Sequence, residues 1–310
     1  MVTAQDLVKT YGKNREIVAV DHVSFSVKEA EIFGLIGPDG AGKTSIFRML
    51  TTLLLPDSGS ATVEGFDIVK EYKSIRNTVG YMPGRFSLYQ DLSVEENLDF
   101  FATVFETTVT QNYELIRDIY VQLEPFKKRR AGKLSGGMKQ KLALCCALIH
   151  KPTVLFLDEP TTGVDPVSRK EFWEMLKRLQ KQGITILVST PYMDEADLCD
   201  RIALIQNGKI LSIDTPGNIS ASYPDKLLAV RANKMSALLK ALSRFKNIKA
   251  SYAFGQYAHV VLDSQLVSGK EALRETGKEL KNYLQTEGLE NVEIREINAS
   301  VEDCFIKFLK

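Results

Sequence analysis

Residues 37–44 read Gly37-Pro38-Asp39-Gly40-Ala41-Gly42-Lys43-Thr44, a glycine-rich loop of the pattern G-x-x-x-x-G-K-[ST]. The loop follows the apolar run 32–36 and precedes a helix-like stretch at 44–55. Its glycines permit a tight turn whose backbone N–H groups face an anion, and the following helix adds its positive end. In this pattern Lys43 reaches the outer phosphates and Thr44 contacts a Mg²⁺ ion. The chain is therefore predicted to bind a nucleoside triphosphate.

The overall composition is that of a soluble globular protein, with 310 residues and 44% apolar side chains. This length favours a large domain plus a smaller one. The net charge of +1 gives no whole-protein field that would attract nucleic acid, so no nucleic-acid partner is expected. Cys145, Cys146, Cys199 and Cys304 show no metal-binding spacing and are interpreted as reduced thiols. No apolar run reaches the ~18–20 residues that cross a bilayer, so any membrane-spanning part belongs to another chain.

The order of the predicted elements defines the fold class. Short alternating runs up to residue 27 predict antiparallel strands, and residues 94–150 have a helical pattern. Apolar runs at 153–157, 184–189 and 201–205 alternate with helical segments, which favours a mostly parallel sheet. The prediction is an α/β P-loop NTPase fold with an antiparallel β subdomain and an inserted helical subdomain at about 85–150.

The turn Asp214-Thr215-Pro216-Gly217 predicts a domain boundary, giving a nucleotide-binding domain at 1–215 and an accessory domain at 216–310. The second segment has a β-α-β-β-α-β pattern, so a small α+β domain is expected, with a ferredoxin-like arrangement as one option. Residues 300–303, Ser-Val-Glu-Asp, indicate an N-capped terminal helix.

Two further motifs carry chemistry. Asp158 and Glu159 end the apolar run 153–157, at the edge of the sheet where ligands of α/β proteins bind. Asp158 is predicted to hold Mg²⁺, and Glu159 to orient the attacking water in phosphoryl transfer. Residues 134–138, Leu-Ser-Gly-Gly-Met, place an N-cap before two glycines and predict a second anion site. Alone, the acidic pair would be interpreted as a solvated turn and residues 134–138 as an ordinary capped helix, but the phosphate loop upstream reverses the preference for the acidic pair.

Together these motifs resemble an ATP-binding cassette, the nucleotide-hydrolysing subunit of ABC transporters. The resemblance covers about residues 3–213, and the segments 158–166 and 192–196 are similar to ABC-2 type drug-efflux ATPases. It implies that two cassettes clamp ATP between the phosphate loop of one and the signature 134–138 of the other. The residues expected to bind ATP are then Tyr11, Gly37, Pro38, Asp39, Gly40, Ala41, Gly42, Lys43, Thr44, Ser45, Ser135, Gly136, Gly137 and Asp165. Glu159 and Lys43 are expected to be catalytic, and Thr44 and Asp158 to bind Mg²⁺.

The resemblance also implies partners and a location. A separate transmembrane permease and a second cassette, identical or different, are expected, and a periplasmic adaptor is a further partner that such systems allow. The chain would then lie in the cytoplasm, against the inner face of the cell membrane. Soluble cassette proteins of translation or DNA repair fit poorly, because neither a second cassette nor a long coiled coil is visible in the sequence.

Two loop positions depart from the family pattern. Gly84 stands where the family usually has a glutamine that touches Mg²⁺ and water, and Pro191 stands where it has a histidine that contacts the γ-phosphate. Loss of such contacts costs on the order of 10²–10³ in rate. Two interpretations remain open. Either the chain is an ATPase with slowed or rearranged hydrolysis, or it is a regulatory cassette that binds ATP and relies on a catalytic partner in a heterodimer.

Overall fold

The computed structural model describes residues 1–263 and 270–309. The polypeptide divides into two compact units, Met1–Pro216 and Gly217–Lys310. Within the described residues, no helix combines the length and apolarity needed to cross a membrane.

The first unit is built from two sheets and the helices packed on them. Its strands are β1 (Val2–Tyr11), β2 (Ile17–Val27), β3 (Ile32–Ile36), β4 (Ser58–Val63), β5 (Phe66–Asp67), β6 (Val79–Met82), β7 (Val154–Asp158), β8 (Thr185–Thr190), β9 (Arg201–Gln206) and β10 (Lys209–Asp214). Its helices are α1 (Lys43–Leu50), α2 (Tyr72–Thr78), α3 (Val94–Val104), α4 (Tyr113–Tyr120), α5 (Gly136–Leu148) and α6 (Pro166–Lys181). Short 3-10 helices lie at Glu124–Phe126, Ala131–Lys133 and Met193–Leu198.

The larger sheet has the strand order β10-β9-β3-β8-β7-β6 and is parallel apart from the β9–β10 pair. Every residue of β3, β7 and β8 is buried, because helices or the second sheet cover both faces of a parallel sheet. Asp158 pairs in register with Ser189, and Ile36 pairs with Thr190. The loops that follow β3, β7 and β8 therefore emerge side by side at one edge.

The second sheet of this unit is antiparallel, with the order β2-β1-β4-β5. One core joins it to the parallel sheet through the stacked rings of Phe25 and Phe33, which are 5.5 Å apart, and through α1. Helix α1 ends at Leu50, five residues before the end of the predicted stretch, since Thr52 adopts a left-handed φ of +62° that stops the helix. The segment between β6 and β7 is helical and opens with the capping box of Ser93 and Glu96. The predicted α/β P-loop fold class, with its antiparallel and helical subdomains, is confirmed.

The second unit comprises α7 (Pro216–Ala221), β11 (Leu227–Arg231), α8 (Met235–Leu242), β12 (Ile248–Phe254), β13 (Tyr257–Leu262), α9 (Lys270–Thr286), β14 (Glu293–Ile297) and α10 (Val301–Phe308). Its sheet is antiparallel with the order β12-β13-β11-β14, so that the first strand lies between the third and the fourth. Leucines of α8 and α9 pack with leucines and valines of β11 and β13 into one core. Ser300 and Asp303 form a capping box at the start of α10.

Candidate nucleotide-binding site

The loop after β3 is held in a narrow shape by its glycines. A Cβ added at Gly37 would lie 2.2 Å from the carbonyl oxygen of Ile205, and one at Gly42 would lie 2.2 Å from that of Ala19. Gly40 and Gly42 also have left-handed φ angles of +77° and +103°. No residue with a side chain fits at Gly42 without moving the backbone of β2, so this glycine is required by packing as well as by conformation.

Lys43 is the first residue of α1, and its side chain is only 3% exposed. Its ammonium donates to the carbonyl oxygens of Gly37 at 2.7 Å and Pro38 at 3.0 Å. It also lies 3.1 Å from Oε1 of Glu159. The ammonium is thus held within the mouth of the loop, where an anion brought to the site would meet it.

Asp158 ends β7, and its carboxylate is 2% exposed. Oδ1 accepts a hydrogen bond from Ser189 Oγ at 2.6 Å and another from Thr44 Oγ1 at 3.2 Å. No sequence motif marks Ser189 as a site residue. Ser189 lies beside Asp158 because β7 and β8 are neighbouring parallel strands in this register. That pairing can be recognised only once the order of the strands in the sheet is known.

Glu159 has a left-handed φ of +51°, uncommon for a residue with a side chain. Its N–H donates to both the carbonyl oxygen and the hydroxyl of Ser189, at 3.0 and 3.1 Å. Its side chain is 24% exposed, in contrast to Asp158 before it. Strained backbone of this kind persists only where neighbours fix it, here the end of β8.

The remaining residues predicted around the loop lie close to it. Tyr11 ends β1, is 37% exposed and contacts Ser45 of α1 through a 3.0 Å hydroxyl–hydroxyl hydrogen bond. The N–H of Ala41 donates to the carbonyl of Pro38 at 3.2 Å, which closes the loop. Asp39 is exposed at its tip. An exposed aromatic ring therefore stands beside the helix that carries Lys43 and Thr44.

The signature residues and Asp165 form a second group. Ser135 caps α5 by accepting from the N–H of Met138 at 3.4 Å. A Cβ at Gly137 would lie 2.8 Å from Ser168 Oγ, and one at Gly136 would lie 3.5 Å from the carbonyl oxygen of Gly163. Asp165 caps α6 through the N–H groups of residues 167 and 168, which lower the pKa of its carboxyl. Within this chain, Asp165 is therefore engaged with α6 and not with the phosphate loop.

Comparison with known proteins assigns the family. A family model described as ABC transporter matches residues 20–162. The chain is 43% identical over 223 residues to the probable multidrug ABC transporter ATP-binding protein YbhF of Escherichia coli, covering 71% of this chain and 38% of that protein. It is 33% identical over 311 residues to the daunorubicin resistance ATP-binding protein DrrA2 of Streptomyces coeruleorubidus, covering 99% of this chain and 94% of that protein. The chain belongs to the ABC transporter ATP-binding proteins.

Solved structures agree with this cassette fold. The structure of an ATP-binding subunit of an ABC transporter matches 72% of this chain and 93% of its own, with 25% identity and a TM-score of 0.65. A dimeric ATP-binding cassette in a post-hydrolysis state, bound to ADP and Pi, matches 69% and 98% with 24% identity and a TM-score of 0.63. The predicted resemblance to ABC-2 type drug-efflux ATPases is confirmed. The cassette nevertheless spans only 38% of the length of the Escherichia coli relative.

The two unusual positions of this cassette lie at the site. A Cβ added at Gly84 would lie 3.0 Å from the carbonyl oxygen of Asp158 and 3.8 Å from Cβ of Glu159. The loop after β6 therefore runs close against the two acids and leaves little room for a larger residue. Pro191 follows β8 directly, in a turn closed by the N–H of Tyr192 on Thr190 Oγ1 at 3.1 Å.

Proposed function

We propose that the chain is the ATP-binding and ATP-hydrolysing subunit of an ABC-2 type exporter. It would couple ATP-driven dimerisation of two cassettes to a separate membrane permease. The observation that carries this proposal is the convergence of Lys43, Asp158 and Glu159 at the mouth of the phosphate loop. Lys43 Nζ lies 3.1 Å from Glu159, and Asp158 accepts from Thr44 at 3.2 Å. A binding module without turnover would not need a partly exposed carboxylate next to a buried one at this place.

Binding of ATP would begin at Lys43. Its ammonium is held by two loop carbonyls and one carboxylate, all of them oxygen acceptors that the phosphates can replace. The backbone N–H groups of the loop and the start of α1 would hold the β-phosphate. Tyr11, exposed beside Ser45, would stack on the adenine ring.

Thr44 and Asp158 are the residues that would hold Mg²⁺. The described residues contain no cluster of three or more His, Cys, Asp or Glu side chains that could hold a metal unaided. A magnesium ion in a phosphoryl-transfer site needs only one or two carboxylates, with waters and phosphates completing its shell, so a hydroxyl and a buried carboxylate fit. When bound, the ion neutralises charge on the phosphates during transfer. Ser189 would keep the Asp158 carboxylate oriented through their 2.6 Å hydrogen bond.

Glu159 would orient and polarise the attacking water. Its backbone is fixed by two hydrogen bonds to Ser189, while its partly exposed side chain remains able to turn from Lys43 towards solvent. A positioned carboxylate of this kind contributes on the order of 10²–10⁴ in rate. Because Gly84 and Pro191 provide no side-chain hydrogen bond, Glu159 would carry most of the water positioning.

A second cassette would complete the site. The N-terminus of α5 carries Ser135, Gly136 and Gly137, and Asp165 caps the neighbouring helix α6. Among the described residues, the contacts of this group are with α5 and α6 and not with this chain's own phosphate loop. The signature would bind the ATP that the phosphate loop of a partner cassette holds.

The permease would dock in a cleft of about 440 Å³ next to the loop after β6. Its walls include Leu53, Tyr81, Leu88, Phe101 and Val104, of which Leu53 and Val104 are exposed. An apolar segment of the permease in this cleft would touch both β6, which leads to Gly84, and the helices around the signature. Drug export from the inner face of the membrane is proposed because relatives are named as multidrug and daunorubicin resistance proteins.

The test is ATP turnover by the purified chain, alone and as the complex that it forms with membrane proteins of its own cell. Wild type is compared with Lys43→Ala, which should lose ATP binding, and with Glu159→Gln, which should retain it. Turnover that disappears in both variants supports the proposal. Turnover equal to wild type in Glu159→Gln would overturn it.

A second candidate function is supported by the packing at Gly84. If the close approach of Gly84 to Asp158 leaves the site slow, the chain would act as the regulatory member of a heterodimer and supply its signature to a catalytic partner. The composition of the ATP-bound complex separates the two functions. A cassette with glutamine and histidine at the corresponding loops would support the heterodimer, and two copies of this chain would exclude it.

A further inference from the structure

Two turns of the candidate site are joined below the surface by a single residue. One turn, 159–162, follows β7 and carries Glu159; the other, 190–192, follows β8 and carries Pro191. Glu195 lies on the 3-10 helix Met193–Leu198 and is 1% exposed. Its Oε1 accepts a hydrogen bond from Oγ1 of buried Thr161 at 2.7 Å. Its backbone N–H donates to the carbonyl of Tyr192 at 3.2 Å. Glu195 thus contacts both turns.

Arg169 of α6 completes the connection. Its Nε lies 3.7 Å from Oε1 of Glu195, and its NH1 lies 3.6 Å from Asp194. Its guanidinium carbon stands 4.3 Å above the ring of Tyr192, the residue after Pro191. The same helix begins at the Asp165 cap and, through Ser168, meets Gly137 of the signature. The Glu195–Arg169–Thr161 network therefore links three segments that surround the proposed site.

The network lowers the free energy of unfolding, because it buries polar atoms that are not hydrogen-bonded to any described residue. Among the described residues, Oε2 of Glu195 and Nε of Arg169 have no hydrogen-bond partner, although both atoms are buried. A buried carboxylate with one unsatisfied oxygen costs free energy, and isosteric apolar replacements of buried ion pairs are often neutral or stabilising. A stabilising role therefore does not explain why a carboxylate is buried at Glu195.

We propose that Glu195 is a positioning residue: through Thr161 it fixes the turn that carries Glu159, and through Arg169 and Tyr192 it holds the turn that carries Pro191. This assignment rests on the proposed function, because it concerns the placement of the water-orienting carboxylate. The Glu159 N–H is already held by Ser189, and the Thr161–Glu195 hydrogen bond is a second contact that fixes the turn after it. Because Gly84 and Pro191 provide no side-chain hydrogen bond at the site, the position of Glu159 depends on these two contacts. A displacement of about 1 Å at a reacting group costs up to 10²-fold in rate.

The test uses Thr161→Val, which keeps the shape and removes the hydroxyl, with Thr161→Ser as the conservative rescue and Glu195→Gln as the variant without charge. The matched control is Thr185→Val. Thr185 is also buried and accepts from Ala30 N at 3.0 Å, but it starts β8 at the opposite edge of the sheet. Two readouts are taken on the full chain: kcat and KM for ATP, and amide hydrogen exchange of residues 190–196.

We expect Thr161→Val and Glu195→Gln to lower kcat about tenfold with KM within about twofold, and Thr161→Ser to stay within about twofold of wild type. Thr161→Val should also speed exchange at 190–196, far away in sequence, whereas Thr185→Val should alter neither readout. Unchanged exchange at 190–196 in Thr161→Val overturns the proposal, even if kcat falls, because Thr161 would then act locally. If wild type shows no turnover, the proposed ATPase function fails, and the exchange result alone decides whether Glu195 couples the turns.

Discussion

The ammonium of Lys43 lies 3.1 Å from the carboxylate of Glu159, so the phosphate-binding cation and the proposed water-orienting group are paired with each other. Lys43 is almost fully buried and Glu159 is not, which leaves the carboxylate as the partner that moves when a phosphate arrives. The pair therefore opposes ATP binding and is exchanged for a lysine–phosphate contact once the nucleotide is in place.

Replacing Glu159 by glutamine should separate binding from turnover. The amide keeps the size of the side chain but releases Lys43 from its ion pair, so ATP should bind at least as tightly as to wild type. Turnover should fall by at least ~100-fold, because the amide does not polarise water. Equilibrium binding of a fluorescent ATP analogue and steady-state hydrolysis measure both effects. Glu171→Gln is the control, since Glu171 also pairs with a lysine, Lys141, at 2.7 Å. Equal losses in both variants would contradict the assignment of Glu159.

Ser189→Ala should weaken the affinity of the site for magnesium. The change removes the 2.6 Å hydrogen bond to Asp158 and one of the two acceptors for the Glu159 N–H. We expect the Mg²⁺ concentration for half-maximal turnover to rise several-fold, with about 1–2 kcal/mol lost in the free energy of unfolding. Thr3→Val, which removes the 2.7 Å hydroxyl pair with Thr62 in the antiparallel sheet, is a control for the stability effect alone. A normal magnesium dependence in Ser189→Ala would mean that Asp158 needs no support.

Restoring the family's glutamine at position 84 should not raise turnover. A Cβ there meets the carbonyl oxygen of Asp158 at 3.0 Å, so Gly84→Ala and Gly84→Gln must shift the strand end that carries the acid. Overpacking of this kind costs roughly 1–3 kcal/mol of stability. Gly217→Ala, which meets nothing within 4 Å, controls for the loss of a glycine. Thermal unfolding and turnover are measured together, and a several-fold gain in turnover by Gly84→Gln would show that the loop yields easily.

Asp303 should make α10 of the second unit sensitive to strong acid. Burial raises the pKa of its carboxyl, but hydrogen bonds from His259, Ser300 and Tyr252 outweigh burial and lower the pKa to about 2, from an ordinary 3.8. A depressed pKa of this size contributes about 2 kcal/mol that is fully present above the ordinary pKa and is lost as the pH falls through about 2.

The measurement is hydrogen exchange at residues 301–308 in wild type and Asp303→Asn between pH 6 and pH 2. The difference in protection should be constant down to about pH 4 and should shrink below it. Glu296→Gln, an exposed carboxylate of β14, is the control and should show no such difference. A gap between wild type and Asp303→Asn that persists at pH 2 would contradict the charge-based explanation.

The parts of the fold that could be predicted are those whose signals are local. The phosphate loop, the apolar runs of the buried strands β3, β7 and β8 and the cap at Ser300 each follow from a few adjacent residues. The contact of Ser189 with Asp158 depends on which strands are neighbours, and the end of α1 depends on the conformation of Thr52. The Glu195 network joins residues up to 34 positions apart in sequence and had no local pattern.

Asp165 illustrates a different limit. The resemblance to ATP-binding cassettes implied a nucleotide contact for it, whereas in the folded chain its carboxylate accepts from two N–H groups at the start of α6. A single chain satisfies such a side chain internally, and a contact to ATP would come from the geometry of a pair of cassettes. The sequence therefore predicts that Asp165 belongs to the nucleotide site, but not which atoms it contacts there.

The close approach of Gly42 to Ala19 has a mechanical consequence. The Ala19 carbonyl is wedged between two glycines, since a Cβ at Gly42 or at Gly208 would lie 2.2 or 2.9 Å from it. Strand β2 and the phosphate loop are thus in direct backbone contact, with no side chain between them, so we expect them to move together. The antiparallel sheet and the loop would therefore form the rigid part of the cassette. We therefore expect any rearrangement on ATP binding to occur at the other side of the site, where the loop at Gly84 leads into the helices of the signature.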